Sequence, residues 1–274
     1  MKAAVAIRRA RSIEDYSACV AIQRDVWAFP DPADYASVPL MRVQNTYGGS
    51  VLVAGDAGGR VQGFAFALLS RNLEGTVFWW SHMTAVSAES AGKGIGFALK
   101  MAQRNEALRQ GISEIAWTFD PLQAKNAHFN IRKLGVVAFD YEENFYGPSS
   151  SPLHANLPTD RLRVAWTLSS ERVVDRVSGT SSLILRDFDG IVRVLESRDG
   201  VPGPPDLAHR ETPMLLEIPA AYPQAGPGKS GSAREWQEKL RATFSHYLGQ
   251  GYAVTDFIRV ETPRPQAFYV LERT

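Results

Sequence analysis

The chain has 274 residues, 45% of them hydrophobic and 22% charged, and its thirty basic and twenty-nine acidic side chains leave a formal net charge of +1. Such usage belongs to an ordinary globular protein long enough to bury a sizeable core, and a charge this near zero offers no electrostatic footprint for nucleic acid or an anionic membrane. A single cysteine, Cys19, excludes an internal disulfide and reads as a packed thiol in a reducing compartment. No apolar run of membrane-spanning length appears, and the N-terminal MKAAVAIRRARS lacks the long apolar region of a secretory leader, so a cytoplasmic location is the expectation.

In chain order, Val5 to Ala10 reads as a strand and Ile13 to Trp27 as a helix with Ser12 as its N-cap. A Pro/Asp loop, Phe29 to Asp34, leads to a short mixed stretch. SVLVAGDAGGRVQGFAFALLS then reads as two strands around an Asp-Ala-Gly-Gly turn. Thr76 to Val86, rich in β-branched and aromatic residues, is the next strand. It is followed by a glycine-rich turn and a helix from about Phe97 to Gln110. Glu114 to Asp120 is a strand and Asn126 to Leu134 a helix stopped by Gly135. Val136 to Tyr141 and Leu162 to Leu168 are two more strands.

Beyond Ser169 the pattern is interrupted by two Pro/Gly-rich connections, Val201 to Asp206 and Tyr222 to Ser232. SLILRDFDG, IVRVLES and MLLEIPA flank them as strand candidates. Trp236, Leu240, Phe244 and Tyr247 mark a helix stopped by Gly249 and Gly251; GYAVTDFIRV and AFYVLER close the chain as strands. The order helix, glycine, strand, strand repeats that of Asn126 to Leu168, so the tail reads as a degenerate copy of that part, one without a phosphate loop.

The segment that carries chemistry is AGKGIG, Ala91 to Gly96, set between a strand and a helix. Such a turn points backbone N–H groups and the positive end of the helix dipole at one spot, which suits an anion. Its glycines admit positive φ and the close approach of phosphate oxygens, and Lys93 adds charge at the rim. A Walker loop would need Ser or Thr after Gly-Lys, where Gly94 stands; a dinucleotide turn would need Gly or Ala where Leu99 stands. A pyrophosphate loop of an acyl-CoA enzyme and a plain glycine-rich connection stay open on spacing alone.

TAVSAESAGKGIGFALK and NAHFNIRKLGV together resemble the core of the GNAT (Gcn5-related N-acetyltransferase) superfamily. There a strand ending in Val precedes a Gln/Arg-x-x-Gly-x-Gly/Ala loop, matched by Val86, Ala91, Gly94 and Gly96. Ala91 replaces the usual Gln or Arg. In the second motif Lys133 and Gly135 are kept, while Ile131 stands where the family commonly has the Tyr that protonates the leaving thiolate. SHM, WTFDP, NAHFN, NFYG and LPTDR resemble more narrowly a bacterial subgroup of GNAT acyltransferases with an extended C-terminal half. The resemblance spans roughly Val5 to Leu168. It implies an α/β (α+β) fold with a mixed, mostly antiparallel central sheet flanked by helices. The domains expected are a GNAT acyl-CoA-binding domain over 1–170 and a C-terminal α+β half over 171–274, a degenerate GNAT-like copy that shapes the acceptor site.

The resemblance further implies that acetyl-CoA or another acyl-CoA lies where the strands of Thr76 to Val86 and Glu114 to Asp120 splay apart. Thr84, Ala85 and Val86 pair with the pantetheine; Ala91, Gly92, Lys93, Gly94, Ile95 and Gly96 hold the pyrophosphate; Asn126 is a further cofactor contact or, alternatively, the N-cap of its helix. The acceptor enters from the other side. Period-two alternation puts His82, Thr84 and Val86 on one face, which makes His82 the leading base, although a histidine in an apolar strand is as readily a hydrogen-bonded core residue. Asp120 is the second candidate base, or a turn aspartate. With Ile131 unable to act, Tyr146 and then Tyr141 are the remaining phenols for an acid. Trp79 and Trp80 read as core or pocket wall, and no His/Cys/Asp spacing suggests a metal. The expected activity is N-acyl transfer to the amine of a small molecule, an amino acid among them, with a homodimer compatible with the family. The alternatives are a module that binds CoA without catalysis, motivated by Ile131, and a nucleotide-binding protein.

Overall fold

The computed structural model describes residues 5–147, 151, 157–180, 188, 190–222, 230–261 and 264–274. They form two compact units that divide between Trp117 and Thr118.

In the first unit β1 (Ala6–Arg9), β2 (Ser50–Gly55), β3 (Val61–Arg71) and β4 (Val77–Val86) pair antiparallel in that order, and β5 (Glu114–Phe119) joins β4 in parallel. The β2–β3 hairpin turns at Asp-Ala-Gly-Gly as its composition predicts. Helix α1 (Ile13–Trp27) starts at a capping box: the Asp15 amide donates to Ser12 Oγ, and the Ser12 amide donates to the Asp15 carboxylate. Its Tyr16, Cys19 and Ile22 enter one core with Val51, Val53, Phe64, Phe66 and Ala85. Burial pushes the Cys19 thiol up to about 12, which suits an inert packed residue. The mixed stretch after the Pro/Asp loop is a further helix, α2 (Val38–Thr46), capped by Ser37 with Pro39 in its first turn. Its apolar stripe is broken by Arg42, Gln44 and Asn45, which hid its period. On the opposite face, Ile95 and Leu99 of α3 (Ile95–Arg109) pack with Leu52, Ala54 and Ala65.

The second unit has strands in the order β7 (Arg161–Thr167), β6 (Val137–Glu142), β12 (Tyr252–Val260), β13 (Gln266–Arg273), β11 (Met214–Ile218) and β8 (Arg193–Leu195). Among the described residues of this unit the β11–β8 pairing is parallel and the pairings β7–β6, β6–β12, β12–β13 and β13–β11 are antiparallel. The short strands β9 (Ser197–Arg198) and β10 (Val201–Pro202) form a separate ribbon, the latter inside a stretch expected to be a loop. The repeated order seen in the sequence takes the form of two antiparallel hairpins, β6–β7 and β12–β13, whose leading strands pair at Val254 and Ala138. Strand β6 pairs with β7 on one side and with β12 on the other within this unit. Of the strand candidate SLILRDFDG, 182–187 and 189 lie outside the described residues; IVRVLES and MLLEIPA shorten to β8, β9 and β11.

Helix α4 is one turn, Ala124–Ala127, continued by a π-helical turn over His128–Lys133. It therefore begins two residues before the expected start at Asn126. A short α5 (Glu171–Ser178), unforeseen in the sequence, is capped by Ser170. Helix α6 (Ser230–Leu248) places Phe244 against Tyr141 and Tyr269, on the face of the sheet that Phe257 also occupies. Asp256, one residue earlier, faces the other way and accepts from Arg132 at 2.6 Å and Arg176 at 2.9 Å. Asp256→Ala, which leaves two guanidiniums without their shared carboxylate, is expected to cost about 3–5 kcal/mol in a denaturant titration.

Candidate functional site

Strand β4 ends at Val86, and the chain passes through a short 3-10 turn, Ala88–Ser90, into the glycine loop. Gly92 (φ +76°) and Gly94 (φ +84°) both take the left-handed conformation, and a Cβ at either would meet nothing within 4 Å. Glycine is needed there for the backbone angle, and the space above the loop is open. Ala91 to Gly94 are exposed while Ile95 is buried against the sheet. Gly94 is the N-cap of α3 and supplies no side-chain cap, so the first-turn N–H groups of a 15-residue helix face outward without an internal side-chain partner.

The loop is held from below. The Ser87 amide donates to the Gln62 carbonyl at 2.8 Å, and Ser90 Oγ donates to Gln62 Oε1. Gln62 Nε2 in turn donates to Asp56 Oδ2 at 2.7 Å, while Asp56 Oδ1 accepts the Gly58 and Arg60 amides of the β2–β3 turn. Gln62 was not foreseen from the sequence, where nothing distinguishes it from an exposed strand residue.

Two irregularities shape β4. Its parallel ladder with β5 holds at Trp79↔Ile115 and Trp80↔Ala116, after which β4 runs on from Ser81 to Val86. Against β3 the register shifts between Met83↔Phe66 and Ser81↔Ala67, leaving His82 as the extra residue of a bulge. The bulge corrects the period-two expectation. Thr84 pairs with Ala65 and Val86 with Gly63, which puts both on the α3 face. The His82 ring instead stands edge-on to Phe66, 5.8 Å between centroids, on the α1 face. Burial lowers the His82 pKa, which keeps the imidazole neutral near pH 7.

A polar cluster that sequence reasoning missed lies where the two strands part. Lys100, on α3 and only 3% exposed, donates from Nζ to Ser81 Oγ at 3.0 Å and to Gln103 Oε1 at 2.8 Å. The same Nζ lies 3.7 Å from the centroid of the Trp117 ring. Desolvation brings the Lys100 ammonium down to about 7. Gln103 Nε2 and Thr84 Oγ1 are buried polar atoms without a hydrogen-bond partner among the described residues. In the sequence nothing distinguishes Lys100 from a solvated lysine of a helix.

Asp120, Asn126 and Tyr146 belong to the second unit. Asp120 is partly buried, and burial raises its pKa against the opposing effects of the Arg161 cation, the Leu122 amide, Gln123 and the Tyr222 phenol. Tyr222 was read as part of a loop. Tyr146 is exposed, its phenol 3.1 Å from Thr118 Oγ1 and its ring 5.5 Å from the Arg161 guanidinium. Asn126 is exposed inside α4, donating to Gln123 Oε1 at 2.8 Å; it does not cap the helix, since Gln123 holds the N-cap position. Tyr141 bonds Asp160 at 2.7 Å, and burial with that carboxylate pushes its phenol above the usual range. Ile131 is fully buried. No group of metal-ligating side chains occurs among the described residues, and none of their helices is long and apolar enough to cross a membrane.

No protein-family model matches the chain, and no curated protein does. Among solved structures, it is similar to the ribosomal-protein-S18-alanine N-acetyltransferase of Escherichia coli, at 17% identity and a TM-score of 0.48 over 61% of this chain and 96% of that one. Ard1 of Thermoplasma volcanium aligns at 20% identity and 0.44, over 59% and 96%. A chain of the NatC complex bound to Gag peptide and CoA aligns at 13% and 0.48, over 60% and 99%.

The buried lysine has a consequence for stability. An unfolded lysine titrates near 10.5 and Lys100 near 7, so between those values the unfolded chain holds a proton that the folded chain has released. Stability contributed by this site therefore rises from pH 7 toward 10, by about 1.4 kcal/mol per unit, and is flat below 7. Denaturant titrations across that window are expected to show this component in the wild type and to lose it in Lys100→Met.

Proposed function

We propose that the chain is an acyl-CoA-dependent N-acyltransferase that moves an acetyl or other short acyl group to the amine of a small molecule. The observation that carries this reading is a conjunction in the first unit: the strand that parts from its neighbour after Trp80 leads directly into a helix N-terminus entered through two left-handed glycines. An elongated ligand with a diphosphate at one end fits that arrangement. The diphosphate seats on the amides of Gly92 to Gly96, with Ala91 contributing backbone alone and Lys93 charge at the rim. The pantetheine arm runs back along the open edge of β4, its amides pairing with Thr84, Ala85 and Val86, and the thioester arrives near the parting of the strands. Asn126 is kept as a cofactor contact on the strength of the resemblance.

The bulge supports a division of labour across β4. The cofactor-facing side chains Thr84 and Val86 are on the α3 face, and His82 is on the other, where an acceptor can approach the thioester carbon from the opposite side. An alkyl amine is roughly one part in a thousand neutral at pH 7. The neutral imidazole of His82 takes the ammonium proton, directly or through water, the amine attacks, and a backbone N–H near Ala85 or Val86 steadies the oxyanion until the C–S bond breaks. Asp120, at the end of its strand before Pro121, is kept as the second candidate base.

Thioester consumption across a panel of small amines is expected to release free thiol with at least one of them; CoA binding with no release from any amine would leave only a binding module. His82→Ala should lower kcat about 100-fold or more with CoA affinity retained. Gly94→Val, which forces a β-branched residue into the left-handed region at about 1–2 kcal/mol, should weaken CoA binding about tenfold by calorimetry. Protection of the fold by ATP or NAD but not CoA in thermal melts would favour a nucleotide-binding protein instead.

A further inference from the structure

We infer that Lys100 meets the sulfur end of the cofactor, where its ammonium stabilises the thiolate released on acyl transfer and gives it a proton. This rests on the acyl-CoA reading above and adds to it an acid for the leaving thiolate.

The placement comes first. Ser81 and Trp117 are the residues immediately beyond the last β4–β5 pair, Trp80↔Ala116, and Lys100 Nζ touches both. The amine thus stands at the vertex of the parting strands. Ser81 pairs with Ala67, which keeps it in phase with Ala65 and Thr84 on the α3 face, the side assigned to the cofactor. From Val86 back to Ser81 the strand covers about 17 Å. A pantetheine arm leaving the glycine loop along that path travels sulfur-first toward Nζ.

The chemistry fits the place. When the C–S bond breaks, its electron pair stays on sulfur, and a thiolate in a site walled off from water is costly unless a cation or acid is present. Ile131 offers hydrocarbon, and the Tyr141 phenol is committed to Asp160. A Lys100 ammonium titrating near 7 is a stronger acid than an ordinary thiol at about 8.5, so the proton passes to sulfur downhill. The Nζ–H bond breaks, S–H forms, and the neutral amine regains a proton from bulk solvent once CoA has left and the site is open, before the next cycle. Gln103 Nε2, the unpartnered buried donor of the same cluster, offers a second N–H at that end. A hydrocarbon in place of Lys100 would pack α3 on the sheet without the desolvation cost, so packing alone gives the cation no reason to be there.

The charged groups on the elements around Lys100 are these. On α3, Glu106 is engaged by Arg9 of β1 and by Arg109; Arg104 lies one turn on from Lys100, and Arg8 of β1 is held by Asp15. His82 of β4 is across the sheet, and Glu114 opens β5 three residues before Trp117.

The test is a pH titration of the thiol of CoA bound to the whole protein, read by the ultraviolet absorbance of the thiolate. Because Lys100 releases its proton near 7, before an ordinary thiol does, the wild type is expected to hold the bound thiol near its free value. Lys100→Arg, whose guanidinium keeps its charge, should lower the bound thiol pKa by at least about one unit, a tenfold gain in thiolate fraction, and lose about tenfold or more in kcat. Lys100→Met should leave the thiol unlowered and lose kcat likewise. A bound thiol in Lys100→Arg that titrates like free CoA overturns the proposal, as does a thiol lowered by about one unit or more in the wild type, equal lowering in Lys100→Met, or full turnover in either variant. In those cases the acyl-CoA reading stands; absence of any CoA binding overturns both.

Discussion

Two residue pairs, Trp79 with Ile115 and Trp80 with Ala116, hold β4 to β5, and the open strand edge of the candidate site follows from the ladder stopping there. A strand inside a sheet ordinarily spends its backbone donors and acceptors on both neighbours. Past Trp80, β4 keeps β3 on one side and releases the other edge over six residues, Ser81 to Val86. That edge is a template for an extended ligand with amide groups, which is what a pantetheine arm is. The bulge at His82 turns the local side-chain phase, so the same strand presents an imidazole to one layer of helices and Thr84 and Val86 to the other. Lys100 stands in the crotch, bonded to the first residue on one side and set over the indole of the first residue on the other.

Much of this was readable in the sequence, for reasons that differ by element. The glycine loop was legible because two left-handed residues leave no choice of residue type, and both Gly92 and Gly94 have positive φ. The strands of the first unit were legible through their β-branched and aromatic runs. The bulge was not: it is one residue of slip set by the pairing partner, and nothing in TVFWWSHMTAV announces it, so His82 was assigned the wrong face. Helices α2 and α5 were missed because each is short and rests on a serine cap more than on a long apolar period. Lys100 was overlooked because a lysine on a helix is normally solvated, and only the tertiary packing of Trp117 and Ser81 reveals it as buried.

The second unit shows how a polar group can organise a sheet without taking part in chemistry. Asp256 receives two arginines, one from the π-helical turn and one from α5, and so fixes both segments against β12. Asp160 does the same on the other side of its strand pair, accepting from Tyr141, Arg241 and the Asn144 amide. Asp120 is satisfied in the same way, by the Leu122 amide, Gln123 and Tyr222, while burial drives its pKa upward.

The tether beneath the glycine loop reaches a surface turn. Through Gln62, the position of Ser87 and Ser90 depends on how Asp56 folds the exposed Asp-Ala-Gly-Gly corner. A corner that is independent of its surroundings in most hairpins is here mechanically joined to the glycine loop. A change at Asp56 would therefore reach Gly92 and Gly94 through Gln62, although no glycine is altered.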